Sequence, residues 1–278
     1  MKHHLIVGAL AGGVLLLAGL RVGVAWPPPA GPAKAVALFN GKDLTNFYTY
    51  TSKYKYDDPN KVFTVVREDG VPAVRISGQD FGGLITQKEY ENYHLVVEFK
   101  WGRKTWAPRE DKAMDSGILL HCVGPDGNNG HWMTSQECQI IEGGCGDFIM
   151  VGGKDAAGNS IKPSLTVKSE PRGNQYYYSP TGAPTARNSG RFNWYGRDPE
   201  WRDVKGFRGR ADVESPAGQW TRMEVICDGD TITNKVNGKV VNVGTQSSLT
   251  RGKILLQSEG AEIFFRKIEL TPLERGKQ

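Results

Sequence analysis

Residues 135–144 read Ser-Gln-Glu-Cys-Gln-Ile-Ile-Glu-Gly-Gly, and this stretch determines the fold predicted for the chain. In a β-strand, successive side chains point to opposite faces of the sheet. Cys138 and Ile140 then form an apolar face that suits a protein core, whereas Glu137 and Gln139 lie on the other face. A carboxylate and an amide in the middle of a β-protein must be hydrogen-bonded or functional. We therefore interpret this strand as the floor of a ligand-binding cleft.

Glu142, near the end of the same stretch, has an orientation that the sequence leaves open. It falls on the core side of the strand unless a bulge shifts the register. Gly143 and Gly144 follow directly, and glycines in a strand often mark a bulge or a sharp end that re-aims a neighbouring side chain. Glu142 is therefore a second candidate for the cleft.

Outward from this strand, the chain consists of short alternating segments joined by turn signals. The clearest strand runs from Tyr93 to Trp101, and a similar one runs from Trp220 to Asp228. Glu68-Asp69-Gly70 and Asn237-Gly238 are typical hairpin turns. About a dozen such strands without an internal repeat predict a single all-β sandwich. The chain has 278 residues, enough for one domain of this kind.

The first 25 residues have the pattern of a secretory signal peptide. Lys2 gives a cationic start, Leu5–Leu20 is apolar, and Gly23-Val24-Ala25 offers small residues for cleavage. We expect a periplasmic or secreted protein without membrane contact after cleavage, and an uncleaved N-terminal membrane anchor is the alternative. The rest of the chain divides into a Pro-rich linker (26–36), the β-domain (37–273) and a C-terminal tail (274–278).

The charge of the chain argues against a nucleic-acid partner. The formal net charge is +5, and removal of Lys2 and Arg21 with the leader leaves +3. No basic run stands out in the sequence, so nucleic acid is not expected to bind. The sequence does not indicate the oligomeric state.

The cysteines leave two structural alternatives. In an exported protein they could form two disulfides, with three pairings. Cys138 and Cys227 lie on apolar strand faces, so buried free thiols are an equal alternative. The spacing lacks the C-x-x-C pairs of a zinc site. The four residues are Cys122, Cys138, Cys145 and Cys227.

Several blocks of sequence occur in the order that is typical of one protein family. They are Leu38–Leu44, Gly83–Thr86 with Tyr93–Lys100, Asp115–Leu120, Glu137–Ile141, Trp220–Val225, Val236–Gly238, and Ile254–Gly260 with Phe265–Ile268. These blocks resemble the 3-keto-disaccharide hydrolase domain family, and the resemblance spans about Ala37 to Pro272. It implies a concanavalin A-like jelly-roll β-sandwich of two antiparallel sheets, with an oligosaccharide or glycoside as substrate.

The resemblance also implies a reaction on glycosides that have already been oxidised to a ketone at C3. A base can remove the proton at C2, and the resulting enolate expels the glycosidic oxygen at C1. Addition of water completes a net hydrolysis, whereas a lyase stops at the unsaturated sugar. The chemistry needs a base, a cation or donor for the oxygen at C3, and an acid for the leaving oxygen.

Glu137 is the first candidate for the acid or the base, followed by Glu142 and by His121, which ends a predicted strand. Gln139 would bind a sugar hydroxyl. Each of these residues has a structural alternative, namely a hydrogen bond or an ion pair within the sandwich. The other substrate-binding candidates are charged and aromatic side chains that could reach the same cleft: Glu98, Lys100, Arg103, Trp132, Lys168, Arg191, Trp194 and Tyr195.

No metal or cofactor is predicted, although two positions carry side chains that could bind a cation. Asp126-Gly127-Asn128-Asn129 resembles a fragment of a calcium loop, but the later glutamate is missing. A structural calcium ion at this loop is the lesser alternative. Asp115 could ligate a cation, yet it precedes Ser116-Gly117 and could equally cap a turn.

Two other functions remain open at this point. The spacing Glu137-x-Gln139-x-x-Glu142 resembles the E-x-D-x-x-E strand of laminarinase-like retaining glucanases. Gln139 replaces the aspartate that tunes the two glutamates, and a neutral amide cannot do the same. A retaining β-glucan hydrolase is therefore the second hypothesis, and a non-catalytic carbohydrate-binding module is the third.

Overall fold

The computed structural model describes Met1 and residues 34–274, and residues 34–274 form a β-sandwich without helices. Apart from Met1, the predicted signal peptide lies outside the described residues, as do most of the Pro-rich linker and most of the C-terminal tail. In the part of the chain that is described, no helix is long and apolar enough to cross a membrane.

Twenty strands follow one another in the described residues. They are β1 (Val36–Ala37), β2 (Phe47–Thr51), β3 (Phe63–Glu68), β4 (Val71–Ile76), β5 (Gly82–Thr86), β6 (Tyr93–Thr105), β7 (Asp115–Val123), β8 (Thr134–Ile141), β9 (Phe148–Val151), β10 (Gly153–Lys154), β11 (Ser160–Ile161), β12 (Leu165–Arg172), β13 (Gln175–Tyr178), β14 (Ala183–Arg187), β15 (Gly190–Phe192), β16 (Thr221–Asp228), β17 (Thr231–Val236), β18 (Lys239–Thr245), β19 (Lys253–Ser258) and β20 (Ala261–Pro272).

Two large sheets pack face to face. The eleven-stranded sheet has the order β13-β12-β18-β17-β16-β6-β20-β4-β3, with β1 beside β20 and β14 beside β12. The seven-stranded sheet has the order β15-β9-β8-β7-β19-β5-β2, and β10 pairs with β11 in a small ribbon. The strand pairs are antiparallel. The predicted fold, an all-β jelly-roll sandwich of two antiparallel sheets, is confirmed.

The core lies between the two sheets and is built from their alternating apolar faces. On β6, Leu95 and Val97 are 0% exposed and Phe99 is 1% exposed. On β8, Cys138 and Ile140 are both 0% exposed and belong to the same apolar cluster. The apolar face predicted for residues 135–144 is therefore the core face of the second sheet.

The other face of β8 is also covered, which the alternation alone did not predict. All eight residues of the strand are buried. β8 is the third strand from the β15 edge of its sheet, with β7 and β9 as neighbours. Because the polar side chains on its outward face are also buried, other parts of the chain must cover them on that side. The polar face of the seven-stranded sheet is thus a nearly closed site rather than an open groove.

The four cysteines are buried free thiols. The alternative of two disulfides is not realised in this fold. Cys138, Cys145 and Cys227 belong to the large apolar core cluster, whereas Cys122 belongs to a smaller cluster on the other face of the seven-stranded sheet.

Truncation of Phe99 to alanine should lower the free energy of unfolding by about 3–5 kcal/mol, the usual cost of emptying a phenylalanine site in a core. Urea denaturation measures this loss. Val240→Ala is the matched control: Val240 is 43% exposed, and such surface substitutions usually stay within about 0.5 kcal/mol. A loss below about 1 kcal/mol for Phe99→Ala would contradict its place in the core.

Candidate functional site

The candidate site lies on the face of the seven-stranded sheet that points away from the core. Gln139 on β8 pairs with Gly117 on β7, and Gln257 on β19 pairs with Gly83 on β5. Leu255 pairs with Leu119, which places Gln257 beside Gly117 in the antiparallel register. Two amide side chains therefore alternate with two glycines across four neighbouring strands. We call this strip of the sheet the trough. Because the glycines have no side chains, neighbouring side chains lie directly over it, with Leu255 above Gly83.

Glu137 lies over the glycine floor of this trough. A Cβ atom added to Gly117 would lie 2.2 Å from Glu137 Oε1 and 3.1 Å from Gln257 Oε1, so a side chain at this position would displace the carboxyl group. Among the described residues, neither oxygen has a hydrogen-bond partner although both are buried. An unpaired buried polar atom costs about 1–3 kcal/mol. Such atoms mark a place where a proton or a ligand completes the hydrogen bonding.

Asp115, the first residue of β7, brings a second carboxyl group to the site. Its Oδ2 lies 3.0 Å from Arg109 Nη2, which also contacts Asp203 at 3.1 Å. Asp115 is 5% exposed, and its Oδ1 has no hydrogen-bond partner among the described residues. One oxygen is therefore held by a cation, and the other is available.

A buried aspartate, Asp147, holds two arginines at the rim of the site. Its Oδ2 accepts a hydrogen bond from Arg191 Nη1 at 2.7 Å and another from Arg197 Nη1. Its Oδ1 accepts the backbone N–H of Trp194 at 2.6 Å. Asp147 is 0% exposed, so both oxygens are fully engaged and the arginines are fixed in place.

The strand register directs Arg191 to the face that carries Glu137. Arg191 on β15 pairs with Ile149 on β9, and Ile149 pairs with Glu137 on β8. Paired residues of neighbouring strands share a face of the sheet. Arg191 is therefore a cation two strands away from the buried carboxyl group, on the same side.

Burial raises the pKa of three carboxyl groups at the site. It raises the pKa of Glu137 to about 8, helped by the neighbouring Asp115 and opposed by Arg191. It raises the pKa of Asp115 to about 7, with Arg109 opposing. Glu259 has a pKa raised well above its usual value by burial and by the other two carboxyl groups. The pKa values of Glu137 and Asp115 therefore lie near neutral pH, where general acids and bases are most effective.

Of the residues predicted from the sequence, the fold brings Glu137, Gln139 and Arg191 to this one face. Gln139 is 3% exposed, and its Oε1 accepts the backbone N–H of Ile140 at 3.1 Å. Its amide therefore has one local partner, and it lines the trough opposite Gln257. The catalytic and binding roles of these residues stay predictions.

Glu142 lies in a different cavity, together with two of the predicted substrate-binding cations. A cavity of about 880 Å³ is lined by Glu142, Lys100 and Arg103, among other residues. Glu142 lies beyond the end of β8, and its Oε2 accepts the backbone N–H groups of Met114 at 3.0 Å and Gly206 at 2.8 Å. Its carboxylate thus satisfies backbone donors rather than joining Glu137.

Glu98 and Lys100 lie on the outer face of the other sheet, on the far side of the core from Glu137. Glu98 Oε2 accepts a hydrogen bond from Arg266 Nε at 2.6 Å, and Lys100 Nζ donates to Asp69 Oδ2 at 2.8 Å. These are the ion pairs that the structural alternative expected. The fold does not bring either residue to the trough.

His121 is fully buried and faces the sandwich interior. Its ring packs edge-on against Tyr93 at 5.6 Å, and its Nδ1 lies 3.0 Å from the carbonyl oxygen of Leu249. Burial lowers the pKa of His121 to about 4, so the ring is neutral at physiological pH. Because Tyr93 belongs to the core, the fold separates His121 from the polar face of the sheet.

The remaining candidates are dispersed around the sandwich. Trp132 packs on a second apolar cluster that covers the other end of the polar face. Trp194 is 1% exposed, and its Nε1 donates to the carbonyl oxygen of Gly143 at 3.0 Å. Tyr195 borders a shallow depression of about 480 Å³, and Lys168 is exposed on β12.

In the loop that resembles a calcium site, two tyrosine hydroxyl groups bind the carboxylate. Asp126 accepts hydrogen bonds from the hydroxyl groups of Tyr48 at 2.8 Å and Tyr56 at 3.0 Å. Within residues 34–274, no group of three or more His, Cys, Asp or Glu side chains is arranged to hold a metal ion. The expectation of no metal cofactor stays a prediction.

Sequence reasoning missed several residues of the site. Gln257 and Glu259 could have been found, because they alternate at the end of a predicted strand and therefore share a face. The sequence context of Asp115 indicates only a cation ligand or a turn cap. Arg109, Asp147 and Arg197 come from loops, and no periodicity in the sequence places loop residues in space.

Comparisons with known proteins identify the family of the chain. The family model of the 3-keto-alpha-glucoside-1,2-lyase-like domain matches residues 34–271. Two crystal structures of proposed glycosyl hydrolases from Parabacteroides distasonis ATCC 8503 are similar, with 18% and 20% sequence identity and a TM-score of 0.47 each; both matches cover 86% of this chain, and they cover 94% and 100% of those chains. A beta-glucanase from Bacillus licheniformis is 13% identical with a TM-score of 0.43, and the match covers 88% of this chain and 99% of that one. No curated protein matches the chain.

The raised pKa of Glu137 predicts that the protein loses stability between about pH 4.5 and pH 8. In the unfolded chain this carboxyl group loses its proton near its ordinary pKa of 4.5, whereas the folded protein retains the proton up to about pH 8. The folded state binds more protons in this window, so the free energy of unfolding falls as the pH rises. One such group contributes a slope of at most about 1.4 kcal/mol per pH unit.

Glu137→Gln should therefore flatten the fall in stability, measured by urea denaturation at a series of pH values from 5 to 8. Glu224→Gln is the matched control, because Glu224 is 7% exposed on the other sheet. Although burial opposes it, Arg222 and His94 hold the pKa of Glu224 below its usual value. Equal slopes for the wild type and Glu137→Gln would show that Glu137 is ionised throughout this range.

Proposed function

Because the chain belongs to the 3-keto-alpha-glucoside-1,2-lyase-like domain family, and is thereby a carbohydrate-active protein, we propose that it cleaves the C1–oxygen bond of glycosides that carry a ketone at C3. The observation that supports this chemistry is the cluster of Asp115, Glu137 and Glu259. Burial raises the pKa of all three carboxyl groups, and they lie beside Arg191 on the glycine-floored face of the sheet.

Asp115 acts as the base in the first step. Its pKa of about 7 leaves roughly half of it ionised at neutral pH, and Arg109 at 3.0 Å keeps the carboxylate in place. Its free oxygen removes the proton from C2, which the neighbouring ketone makes acidic. The electron pair of the C2–H bond moves into a C2=C3 enolate, and Arg191 stabilises the negative charge on the oxygen at C3.

Glu137 acts as the acid in the second step. Its pKa of about 8 means that the carboxyl group carries a proton at neutral pH. When the enolate collapses, the C3=O bond re-forms, a C1=C2 double bond forms and the C1–oxygen bond breaks. The proton of Glu137 moves to the leaving oxygen. Because Glu137 is 3% exposed, little bulk water competes for this transfer.

Addition of water to the unsaturated sugar returns both groups to their starting states. The oxygen of water bonds to C1, one of its protons moves to the Glu137 carboxylate, and Asp115 returns its proton to C2. The sum of the steps is a hydrolysis without an oxidant or reductant. If the unsaturated sugar leaves before water adds, the same residues perform a lyase reaction.

The placement of Glu142 favours this route over a laminarinase-like one. A retaining glycosidase needs two carboxyl groups about 5–5.5 Å apart on either side of one bond. Glu142 is the second glutamate of the glucanase-like spacing, and its carboxylate is engaged by the backbone N–H groups of Met114 and Gly206. The glucanase pairing of Glu137 with Glu142 therefore has no support in this geometry.

We also propose that the protein is exported to the periplasm or secreted. The support is the cationic start, the apolar segment and the small residues of the first 25 positions. Mass spectrometry of the mature N-terminus after expression in a bacterial host tests this proposal.

The function is tested with an α-linked and a β-linked glucose disaccharide, each in its 3-keto form and in its unoxidised form. We expect the purified protein to release sugar only from the keto form. Glu137→Gln should lower the turnover at least tenfold, the lower end of the loss on removal of a general acid. Glu224→Gln, which removes a buried carboxylate from the other sheet, should keep the wild-type rate. Product mass in heavy-oxygen water distinguishes hydrolysis from elimination.

Each other outcome points to a different function. Release from the unoxidised β-linked disaccharide alone would favour the β-glucan hydrolase. Binding of either sugar without release would favour a carbohydrate-binding module. Undiminished turnover by Glu137→Gln would remove Glu137 from the mechanism.

A further inference from the structure

A pocket rich in arginine lies next to the trough, and Arg191 belongs to both. It has a volume of about 290 Å³, and Arg187, Arg191 and Arg197 line it together with the amides of Gln175 and Asn193. This volume lies near the lower end of the range of small-molecule pockets, about 300–1,000 Å³. The pocket therefore suits a single sugar residue rather than an oligosaccharide.

Two of these arginines have N–H donors that are not used in hydrogen bonds among the described residues. A guanidinium group carries five N–H donors. Arg191 and Arg197 each give one of them to Asp147, and among the described residues neither side chain donates another hydrogen bond. Arg197 is 4% exposed, and its guanidinium lies 4.0 Å from the centre of the ring of Trp201, which also lines the pocket. Its position is therefore set by the fold.

Arg187 adds a third cation, which is held by other partners than Asp147. Its Nε donates to the carbonyl oxygen of Ser189 at 3.2 Å, and its guanidinium lies 4.7 Å from the centre of the Tyr176 ring. Asp198 also lines the pocket, and Asp147 lies behind it. The arginines therefore outnumber the carboxylates, and the pocket retains a net positive charge.

Asn193 supplies an acceptor that the protein leaves unused. Its side-chain amide donates to Gln175 Oε1 at 2.7 Å. Asn193 is 2% exposed, and its Oδ1 is buried without a hydrogen-bond partner among the described residues. An unpaired buried acceptor beside a cluster of cations suits a ligand that has both an acid group and a hydroxyl group.

We infer that this pocket binds the carboxylate-bearing ring of an acidic sugar, a uronate. Arginine side chains pair with carboxylates through two parallel hydrogen bonds, and a ring hydroxyl would donate to Asn193 Oδ1. Arg191 belongs both to this pocket and to the face that carries Glu137. In the proposed function the reacting ring lies beside Glu137, and the second ring of a disaccharide is its leaving group. A uronate in the adjoining pocket is therefore the leaving group, a placement that rests on the proposed function.

Isothermal titration calorimetry of the full-length protein tests the binding without any need for turnover. The probes are glucuronate, glucose, acetate and inorganic phosphate. We expect glucuronate to bind at least tenfold more tightly than each of the others, and Arg187→Gln to weaken its binding at least tenfold. Arg187 does not contact Asp147, so its removal leaves no buried charge unpaired.

Arg172→Gln is the matched control. Arg172 also lies over a tyrosine ring, 4.3 Å from the centre of Tyr177, but it does not line the pocket. It should change the affinity for glucuronate less than twofold. The inference is overturned if glucose, acetate or phosphate binds as tightly as glucuronate, or if Arg172→Gln weakens binding as much as Arg187→Gln.

A second measurement separates this inference from the proposed function. It compares the turnover of two 3-keto glycosides that differ only in a neutral or a uronate leaving group. A lower KM for the uronate, lost in Arg187→Gln, supports the placement. Equal KM values overturn the placement while leaving the cleavage reaction intact. Glucuronate binding without turnover of either glycoside would instead reject the proposed function and keep the pocket.

Discussion

The buried carboxylate of Asp147 determines how the polar face of the seven-stranded sheet is closed. It holds Arg191, Arg197 and the backbone of Trp194 at once. Arg191 lies on the edge strand β15, and the other two groups come from the segment that follows it. Removal of one partner from a buried ion pair leaves an uncompensated charge and typically costs about 3–5 kcal/mol. Asp147 therefore fixes the loop that follows β15, and it holds the two cations Arg191 and Arg197 in place.

The closure of this face accounts for the protonation of the carboxyl groups beneath it. Glu137 and Asp115 lose most of their contact with water, which raises the pKa of both, and Asp115 raises the pKa of Glu137 further. The same burial requires Gly117, because a side chain there would occupy the volume of the Glu137 carboxyl group. Gly117 in the sheet, the buried acid Glu137 above it and the cation Arg191 two strands away thus depend on one another.

The sequence predicted the sandwich well because its signals are local. The alternation in β6 and β8 identified the core faces, and the turns at 68–70 and 237–238 coincide with the hairpins of β3 with β4 and of β17 with β18. It predicted less of the site. Glu137 and Gln139 follow from strand period, whereas His121 appeared beside the cleft in sequence and lies on the interior side of the sheet. Arg109, Asp147 and Arg197 reach the site through loops, whose paths depend on tertiary contacts.

The unpaired cysteines have a consequence for how the chain can mature. All four thiols are buried, and burial raises the pKa of each above its usual value, so the reactive thiolate form is suppressed. The sandwich contains no covalent cross-link that must form before it is complete. The folded state therefore needs no oxidant to be complete, and a reductant has no disulfide in it to break.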